Sequence, residues 1–230
     1  AALPISKRMR WGESDAEFVR PVHWLVVLHG KAVVRCCIFG IASGTFSHGH
    51  RFLSEQHVRI TSADRYVEDL KKIGFIIPDF VERRDIIHRQ IQALAHKTGG
   101  KPVVDPELLD TVTGLVEWPQ ALIGSFNPTF LEIPSEVLIS SMRDHQKYFH
   151  VVDAEGALLP AFIAVSNIVS QRPARVQSGN ERVLQARLAD ARFFWEEDRR
   201  LPPETRVENL KGVLFHRDLG SMYDKTRRLE

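Results

Sequence analysis

The hydrophobic positions between residues 184 and 198 recur with the period of an amphipathic helix. Four apolar residues at i, i+4, i+7 and i+11 share one face of it: Leu184, Leu188, Ala191 and Trp195. Asn180, with Ser178 and Gly179 before it, is a suitable N-cap, and Pro202 cannot continue the helix. The pattern therefore predicts a helix that packs one face against a core.

Similar patterns predict helices and strands in the preceding part of the chain. Two β-rich runs flank a short turn at His29-Gly30-Lys31, which is typical of a β-hairpin. The other predicted elements are helices after Thr61, over 79–97, from Asp105 and over 135–143, and strands over 121–126, 146–152 and 158–167. Because helices and strands are intermixed without a sustained βαβ alternation, we predict an α+β fold with a mixed or mostly antiparallel sheet and packed helices.

The chain divides near residue 170 in this interpretation. Residues 1–170 are predicted to form the α+β domain, and 171–230 a helical linker and the start of a further helical domain. Residues 169–179 are polar and contain a proline, which favours a connector, and residues from 204 onward are predicted to be helical. Since no Gly or Pro closes the helical pattern of 224–230, we expect the natural chain to continue.

Composition narrows the class of protein. The 230 residues include 31 basic and 29 acidic side chains with a net charge of +2, which argues against a strong non-specific DNA binder. No apolar run approaches the roughly 20 residues that cross a bilayer, so we expect no membrane partner. The adjacent Cys36 and Cys37 lie in an apolar run, from which we expect buried free thiols and a cytoplasmic location.

Few residue clusters suggest chemistry. His48 and His50 could share a strand face as metal ligands do, but a zinc site needs three or four ligands and no further cluster accompanies them. No glycine-rich phosphate-binding loop or nucleophile elbow occurs in the sequence. We therefore expect no metal, no nucleotide site and no catalytic residue in this chain.

Residues 142–149 are denser in functional groups. The charged, hydrogen-bonding and ring side chains there are Arg143, His145, Gln146, Lys147 and Tyr148. An RNA backbone and an unstacked base need groups of this kind. The alternative is a helix-to-strand junction with solvated polar groups, and composition alone favours that alternative.

Short motifs with a constant order run through nearly the whole chain. They are Met9-Arg10-Trp11-Gly12, Phe18-Val19-Arg20-Pro21-Val22-His23-Trp24, Gly49-His50-Arg51-Phe52, Leu115-Val116-Glu117-Trp118-Pro119, His145-Gln146-Lys147-Tyr148-Phe149, Gly179-Asn180-Glu181-Arg182-Val183, Arg187-Leu188-Ala189-Asp190-Ala191-Arg192-Phe193-Phe194 and Leu219-Gly220-Ser221-Met222-Tyr223-Asp224-Lys225. Each motif is weak alone, but together and in this order they are specific. The chain resembles the β subunit of bacterial heterotetrameric glycyl-tRNA synthetases.

The resemblance implies an α2β2 enzyme that joins glycine to its tRNA with ATP. It implies that the α subunit carries the aminoacylation site and uses ATP and Mg²⁺, so this chain is expected to hold no cofactor. The implied partners are the α subunit, tRNA(Gly) and a second β subunit. The resemblance also implies that 1–170 is similar to the B3/B4 domain of phenylalanyl-tRNA synthetase and that an HD-type helical domain follows.

Contacts with RNA or a partner subunit are predicted at a small set of side chains. These are Arg51, Arg143, Lys147, Arg182 and Arg187, with Tyr148 as a stacking ring. For Arg187, an ion pair with Asp190 at i+3 is an equal alternative. Three roles stay open: tRNA binding, assembly with the α subunit or the rest of β, and hydrolytic editing of the B3/B4 type.

Overall fold

The computed structural model describes residues 7–54 and 57–230, and their helices and strands are intermixed along the chain. The strands are β1 (Met9–Arg10), β2 (Glu17–Phe18), β3 (Leu28–His29), β4 (Ala32–Val33), β5 (Cys37–Ile38), β6 (Ile41–Ala42), β7 (Phe46–His48), β8 (His57–Arg59), β9 (Lys101–Pro102), β10 (Gln120–Ser125), β11 (Phe149–Val152), β12 (Leu158–Ser166), β13 (Leu214–His216) and β14 (Gly220–Ser221). The helices are α1 (Tyr66–Lys72), α2 (Phe80–His96), α3 (Pro106–Leu115), α4 (Ser135–Ser140), α5 (Pro173–Arg200), α6 (Pro203–Arg206) and α7 (Met222–Leu229). Shorter 3-10 segments span Ala63–Arg65, Pro128–Glu132 and Glu208–Gly212, and a π-helical turn spans Ser141–Gln146.

A four-stranded sheet with the order β10-β12-β11-β9 lies at the centre, and its neighbouring strands are all antiparallel. Successive side chains of a strand point to opposite faces, so β12 contributes to two cores. Ile163 belongs to a buried cluster with α2 and α3, whereas Phe162 and Ala164 belong to a second cluster with α4, the π-helical turn and α5. Helices thus cover both faces, and the predicted α+β fold with mostly antiparallel pairing is confirmed.

Two helix starts follow directly from the local sequence. The Asp79 side chain accepts a hydrogen bond from the Glu82 backbone N–H at 2.7 Å and caps α2. Asp105 accepts from the N–H groups of Glu107 at 2.8 Å and Leu108 at 3.1 Å, and Pro106 occupies the first position of α3. The predicted starts of these two helices are therefore confirmed.

The start of α5 differs from the prediction. The helix begins at Pro173, so most of the predicted connector is helical and Asn180 lies inside the helix rather than at its N-cap. The Asn180 amide donates to the Val176 carbonyl at 2.7 Å and accepts from the Tyr148 hydroxyl at 2.6 Å. Tertiary contacts therefore carry the helix through Ser178 and Gly179, which are poor helix formers.

The N-terminal part consists of short antiparallel hairpins. β3 and β4 pair around Gly30-Lys31 as predicted, although each strand is only two residues long. A small buried cluster of Val58, Ile60 and Leu70 joins β8 to α1. The expectation of two buried thiols is wrong, because Cys36 is half-buried and Cys37 is exposed.

The C-terminal part contains helices as predicted, together with a short hairpin that the sequence pattern did not indicate. After α6, the hairpin β13–β14 precedes α7, which Ser221 and Asp224 open as a capping box. A two-stranded hairpin is only marginally stable alone, and its tight turn reverses the chain before α7. In the part of the chain that the structure describes, no helix is long and apolar enough to cross a membrane.

Candidate functional site

The predicted contact residues lie in three places: the turn after β7, the junction between α4 and β11, and the surface of α5. Arg51 lies in the turn, Arg143, Lys147 and Tyr148 in the junction, and Arg182 and Arg187 on α5. The structure therefore does not gather them into one pocket, and each place has its own geometry.

Arg143 at the junction is already paired with carboxylates. Its Nε donates to Asp144 Oδ1 at 2.8 Å, and its guanidinium lies 3.4 Å from Asp105 Oδ2. The hydrogen bond with Asp144 raises the pKa of Arg143, and the same bond, helped by the Ser140 hydroxyl, holds the pKa of Asp144 below its usual range. An incoming phosphate would have to compete with these carboxylates.

Lys147 ends the π-helical turn in a left-handed conformation, with φ of 60°. Its ammonium donates to the Asp144 carbonyl at 3.0 Å. It lines a cleft of about 160 Å³ with Arg143 and three carboxylate side chains: Asp105, Glu107 and Asp144. The acidic groups outnumber the basic ones, so this cleft is a weak candidate for a phosphate site.

Tyr148 faces the interior and is only 7% exposed. Its ring stacks on Phe162 at 4.7 Å between centroids, and its hydroxyl donates to Asn180. Burial raises the pKa of Tyr148. In this placement the ring is unavailable to a nucleotide base, so the stacking role suggested by the sequence does not fit, and Tyr148 instead joins β11 to α5.

The five arginines of α5 that follow Arg175 fall into two groups; Arg175 itself, near the start of the helix, is exposed. Three of the five have partners within the chain. The Arg192 guanidinium lies 4.8 Å from the centroid of the Phe130 ring, and that of Arg199 lies 5.5 Å from the centroid of the Trp195 ring. Arg200 forms an ion pair with Glu197. Arg182 and Arg187 are exposed and have no hydrogen bond or ion pair with any described residue. The alternative pairing of Arg187 with Asp190 does not occur among the described residues.

Arg182 borders an open cleft of about 470 Å³ between α5 and the end of β10. Glu181 fixes one wall, since its carboxylate accepts from the Ser125 N–H at 3.0 Å and from the Gln177 amide at 2.9 Å. Burial raises the pKa of Glu181, but these hydrogen bonds outweigh it and the pKa is lowered. The Glu181 carboxylate is thus hydrogen-bonded to neutral groups, and it forms no ion pair with Arg182 among the described residues.

Arg51 is displayed on a turn that a buried histidine anchors. His50 is 2% exposed, its Nε2 lies 2.5 Å from the Asn167 carbonyl, and its Nδ1 accepts from the Phe52 N–H at 3.2 Å. Because a carbonyl can only accept, Nε2 carries the proton. Arg51 and Phe52 project from this turn, with the guanidinium 5.7 Å from the centroid of a ring that is 75% exposed.

The sequence did not predict a structural role for Asn167, although this residue connects two of the short family motifs. Its side-chain oxygen accepts from the backbone N–H groups of Glu117 at 2.6 Å and Trp118 at 2.9 Å, while its carbonyl accepts from His50. Nothing in the local pattern around Asn167 indicates contacts so distant in sequence. The only sequence signal is that His50 and the pair Glu117-Trp118 each lie in one of the short family motifs, and those motifs do not indicate a contact with Asn167.

Hydrolysis would need a cavity with polar or metal-binding groups. A cavity of about 680 Å³ lies between the Pro128–Glu132 segment, α4 and the end of α5. Its polar lining side chains are Glu132, Ser135 and Arg199. Within residues 7–54 and 57–230, no three His, Cys, Asp or Glu side chains are close enough to hold a metal ion.

Comparison with known proteins places the chain in a class and then in a family. The family model described as glycyl-tRNA synthetase beta subunit matches residues 1–230, which relates the chain to the aminoacyl-tRNA synthetases. It is 49% identical over 229 residues to the glycine–tRNA ligase beta subunit of Hahella chejuensis and 50% identical over 230 residues to that of Marinobacter nauticus. The chain belongs to the glycyl-tRNA synthetase beta subunit family.

The relatives are longer than this chain. Each of these two alignments covers 100% of the chain and 33% of the relative, and a beta subunit of Pseudomonas putida gives 50% identity over 99% of the chain. The chain therefore spans about one third of the length of the curated relatives that it matches.

Proposed function

We propose that this chain is the part of a glycine–tRNA ligase beta subunit that contacts tRNA(Gly), within a cytoplasmic α2β2 enzyme whose α subunit carries the aminoacylation site with ATP and Mg²⁺. One observation carries the proposal. Arg182 and Arg187 are exposed and unpaired among the described residues, although Arg192, Arg199 and Arg200 further along α5 are engaged within the chain. The beta-subunit relatives support a tRNA-directed enzyme.

The physical argument is electrostatic. A guanidinium without a carboxylate partner can form bidentate hydrogen bonds to phosphate without first breaking an ion pair. Each arginine that neutralises a phosphate releases condensed counterions, so affinity falls as the salt concentration rises. Arg182 and Arg187 meet this condition better than Arg143, whose carboxylate neighbours compete with phosphate.

The test uses the complete beta subunit together with the α subunit. Binding of tRNA(Gly) is measured across salt concentrations for the native protein, for Arg182→Gln and for Arg187→Gln. We expect each substitution to weaken binding and to reduce the slope of log affinity against log salt by about 1. Arg200→Gln is the matched control, because Arg200 lies on the same helix but pairs with Glu197. Unchanged slopes in both variants would refute the proposal.

A second candidate function is assembly, and the same helix favours it. Three large apolar side chains of α5 are exposed: Val183 at 47%, Phe193 at 57% and Phe194 at 63%. Phe193 and Phe194 are in contact with each other, and adjoining exposed apolar groups often mark protein contacts. We propose that they dock the α subunit or the remainder of the beta subunit, and Phe193→Ser with Phe194→Ser should then reduce co-elution with the α subunit. Normal co-elution and normal thermal stability of the complete subunit would exclude this role.

A further inference from the structure

The outer face of the hairpin formed by β7 and β8 carries rings that none of the proposed contacts uses. Phe46 pairs with Arg59 and His48 with His57, so these four side chains point to the same side. Ser47 and Val58 alternate with them and are buried at 7% and 0% exposure. The hairpin is therefore held by its inner face, and its outer face is open.

The rings on this face form a continuous row that begins at Phe46 and ends at Trp24 from the preceding segment. Neighbouring centroids are 6.4 Å apart for Phe46 and His57, 4.6 Å for His57 and His48, and 4.3 Å for His48 and Trp24. Phe46 is 52% exposed and Trp24 is 43% exposed. We call Phe46, His57, His48 and Trp24 the aromatic row.

The chemistry of this face differs from that of an ordinary apolar patch. Two of its rings are imidazoles, whose nitrogen atoms need water or a hydrogen-bonding ligand. Arg59 lies opposite Phe46, is exposed, and has no ion pair among the described residues. No outward-facing residue of β7 or β8 is acidic. An exposed face of aromatic rings beside an arginine is complementary to nucleotide bases and phosphates rather than to an aliphatic protein surface.

We propose that the aromatic row binds unpaired nucleotides of RNA, with bases stacked on Phe46 and Trp24 and a phosphate paired with Arg59. The inference rests on the proposed tRNA-binding function and adds a second, separate contact surface to it. Stacking is tolerant of sequence because every base has a π face, so the row would recognise single-stranded RNA as a class. The paired helical parts of an RNA do not offer free base faces, and they would not use it.

The experiment compares a single-stranded RNA of about twelve nucleotides with a duplex of the same length, both labelled for fluorescence anisotropy. The protein is the complete beta subunit with its α subunit, either native or carrying Phe46→Ala or Trp24→Ala. Phe80→Ala is the matched control, since Phe80 is 42% exposed but lies at the start of α2. Thermal melting of each variant verifies that the fold is kept.

We expect Phe46→Ala and Trp24→Ala each to weaken single-stranded RNA binding about tenfold, with Phe80→Ala and the duplex affected less than about twofold. A halogenated uridine in the strand should photo-crosslink to the peptides that contain Phe46 or Trp24.

Native affinity in both row variants, or loss of α-subunit co-elution with unchanged RNA affinity, would overturn the inference. If native protein binds tRNA(Gly) while the row variants change nothing, only this inference fails. If native protein binds no RNA at all, the proposed function fails with it.

Discussion

Asn167 joins three parts of the chain that are far apart in sequence. Through its carbonyl it holds His50, and through its amide oxygen it holds the backbone at Glu117 and Trp118. The His50 ring in turn shapes the turn that displays Arg51 and Phe52. At the residue scale, the exposed position of Arg51 thus depends on the side chains of His50 and Asn167, which lie beneath the turn.

Replacement of Asn167 by alanine should lower the free energy of unfolding by about 1–3 kcal/mol, because two backbone N–H groups lose their acceptor. Urea denaturation of the chain measures the effect. Asn167→Asp keeps an oxygen acceptor at the same position and should lose less. Equal stability of the alanine variant and the native chain would show that water replaces the amide oxygen without cost.

His150 makes stability depend on pH. Burial lowers its pKa, and the positive charge of Arg143 lowers it further. In the unfolded chain, His150 is protonated below a pH of about 6.5, whereas in the native state it is protonated only at a lower pH. The free energy of unfolding should therefore fall as the pH drops below about 6.5.

Unfolding free energies at pH values of about 7.5 and 5.5 test this sign. His150→Gln should lose less stability than the native chain on acidification, by an amount that corresponds to at most one proton. His145→Gln, at an exposed histidine of the same junction, should behave like the native chain. If the His150 variant loses as much stability on acidification as the native chain, His150 is not the cause of the pH dependence.

At the scale of elements, α5 has two unlike faces. Leu184 and Leu188 are fully buried in the cluster that contains Phe162, while Val183 on the opposite side is 47% exposed. Glu181 adds a polar tie, since it accepts a hydrogen bond from the backbone of β10. The helix therefore supports the sheet and presents Arg182 and Arg187 to solvent at the same time.

This division predicts different outcomes for neighbouring positions on α5. Leu188→Ala should destabilise the chain by about 2–5 kcal/mol because it leaves a cavity in the core. Val183→Ala should change stability by less than about 0.5 kcal/mol. Chemical denaturation measures both, and similar losses at the two positions would mean that the outer face is also covered.

The approach of β10 to β12 and α5 requires glycine at position 124. A Cβ there would collide with the Phe162 ring and would lie 3.1 Å from Glu181 Cγ. Gly124→Ala should therefore destabilise the chain by about 1–3 kcal/mol.

Gly114 in α3 is the opposing control, since a Cβ there meets nothing within 4 Å. Gly114→Ala should be neutral or stabilising by up to about 1 kcal/mol, because alanine favours the helix and reduces the freedom of the unfolded chain. Thermal melting compares the two variants, and a stable Gly124→Ala chain would show that Phe162 can rotate away.

At the scale of the whole molecule, burial is uneven. The central sheet has a buried cluster on each face, whereas residues 203–230 include no buried side chain. Leu214 and Leu229 in that segment are 74% and 77% exposed. The C-terminal segment thus has regular secondary structure but little core of its own.

Hydrogen exchange should reveal this contrast. Amides of β10, β11 and β12 should be protected about a hundredfold or more beyond those of α6, α7 and the hairpin β13–β14, because opening of a segment with no buried core costs little. Mass spectrometry of exchanging peptides measures the difference in this chain and in the complete beta subunit. Equal protection throughout the isolated chain would contradict the expectation.

Local sequence patterns predicted the elements whose causes are local. Asp79 and Asp105 cap their helices with their own neighbours, and the hairpin at Gly30 turns within two residues. The predicted start of α5 at Asn180 was wrong. Asn180 is a good N-cap residue by type, but a hydrogen bond from Tyr148 holds it inside the helix. A pairing between side chains 32 residues apart leaves no periodic trace in the sequence.

The sequence by itself determined the family, the α+β class and most helix and strand positions, since motif order, periodicity and capping depend on short stretches of chain. The tertiary structure alone decided which candidate groups are available. It buried Tyr148, paired Arg143 with Asp105 and Asp144, and left Arg182 and Arg187 exposed. It also aligned Trp24 with the outer face of β7 and β8. Exposure and ion pairing depend on residues brought together from distant positions, and only the folded chain brings them together.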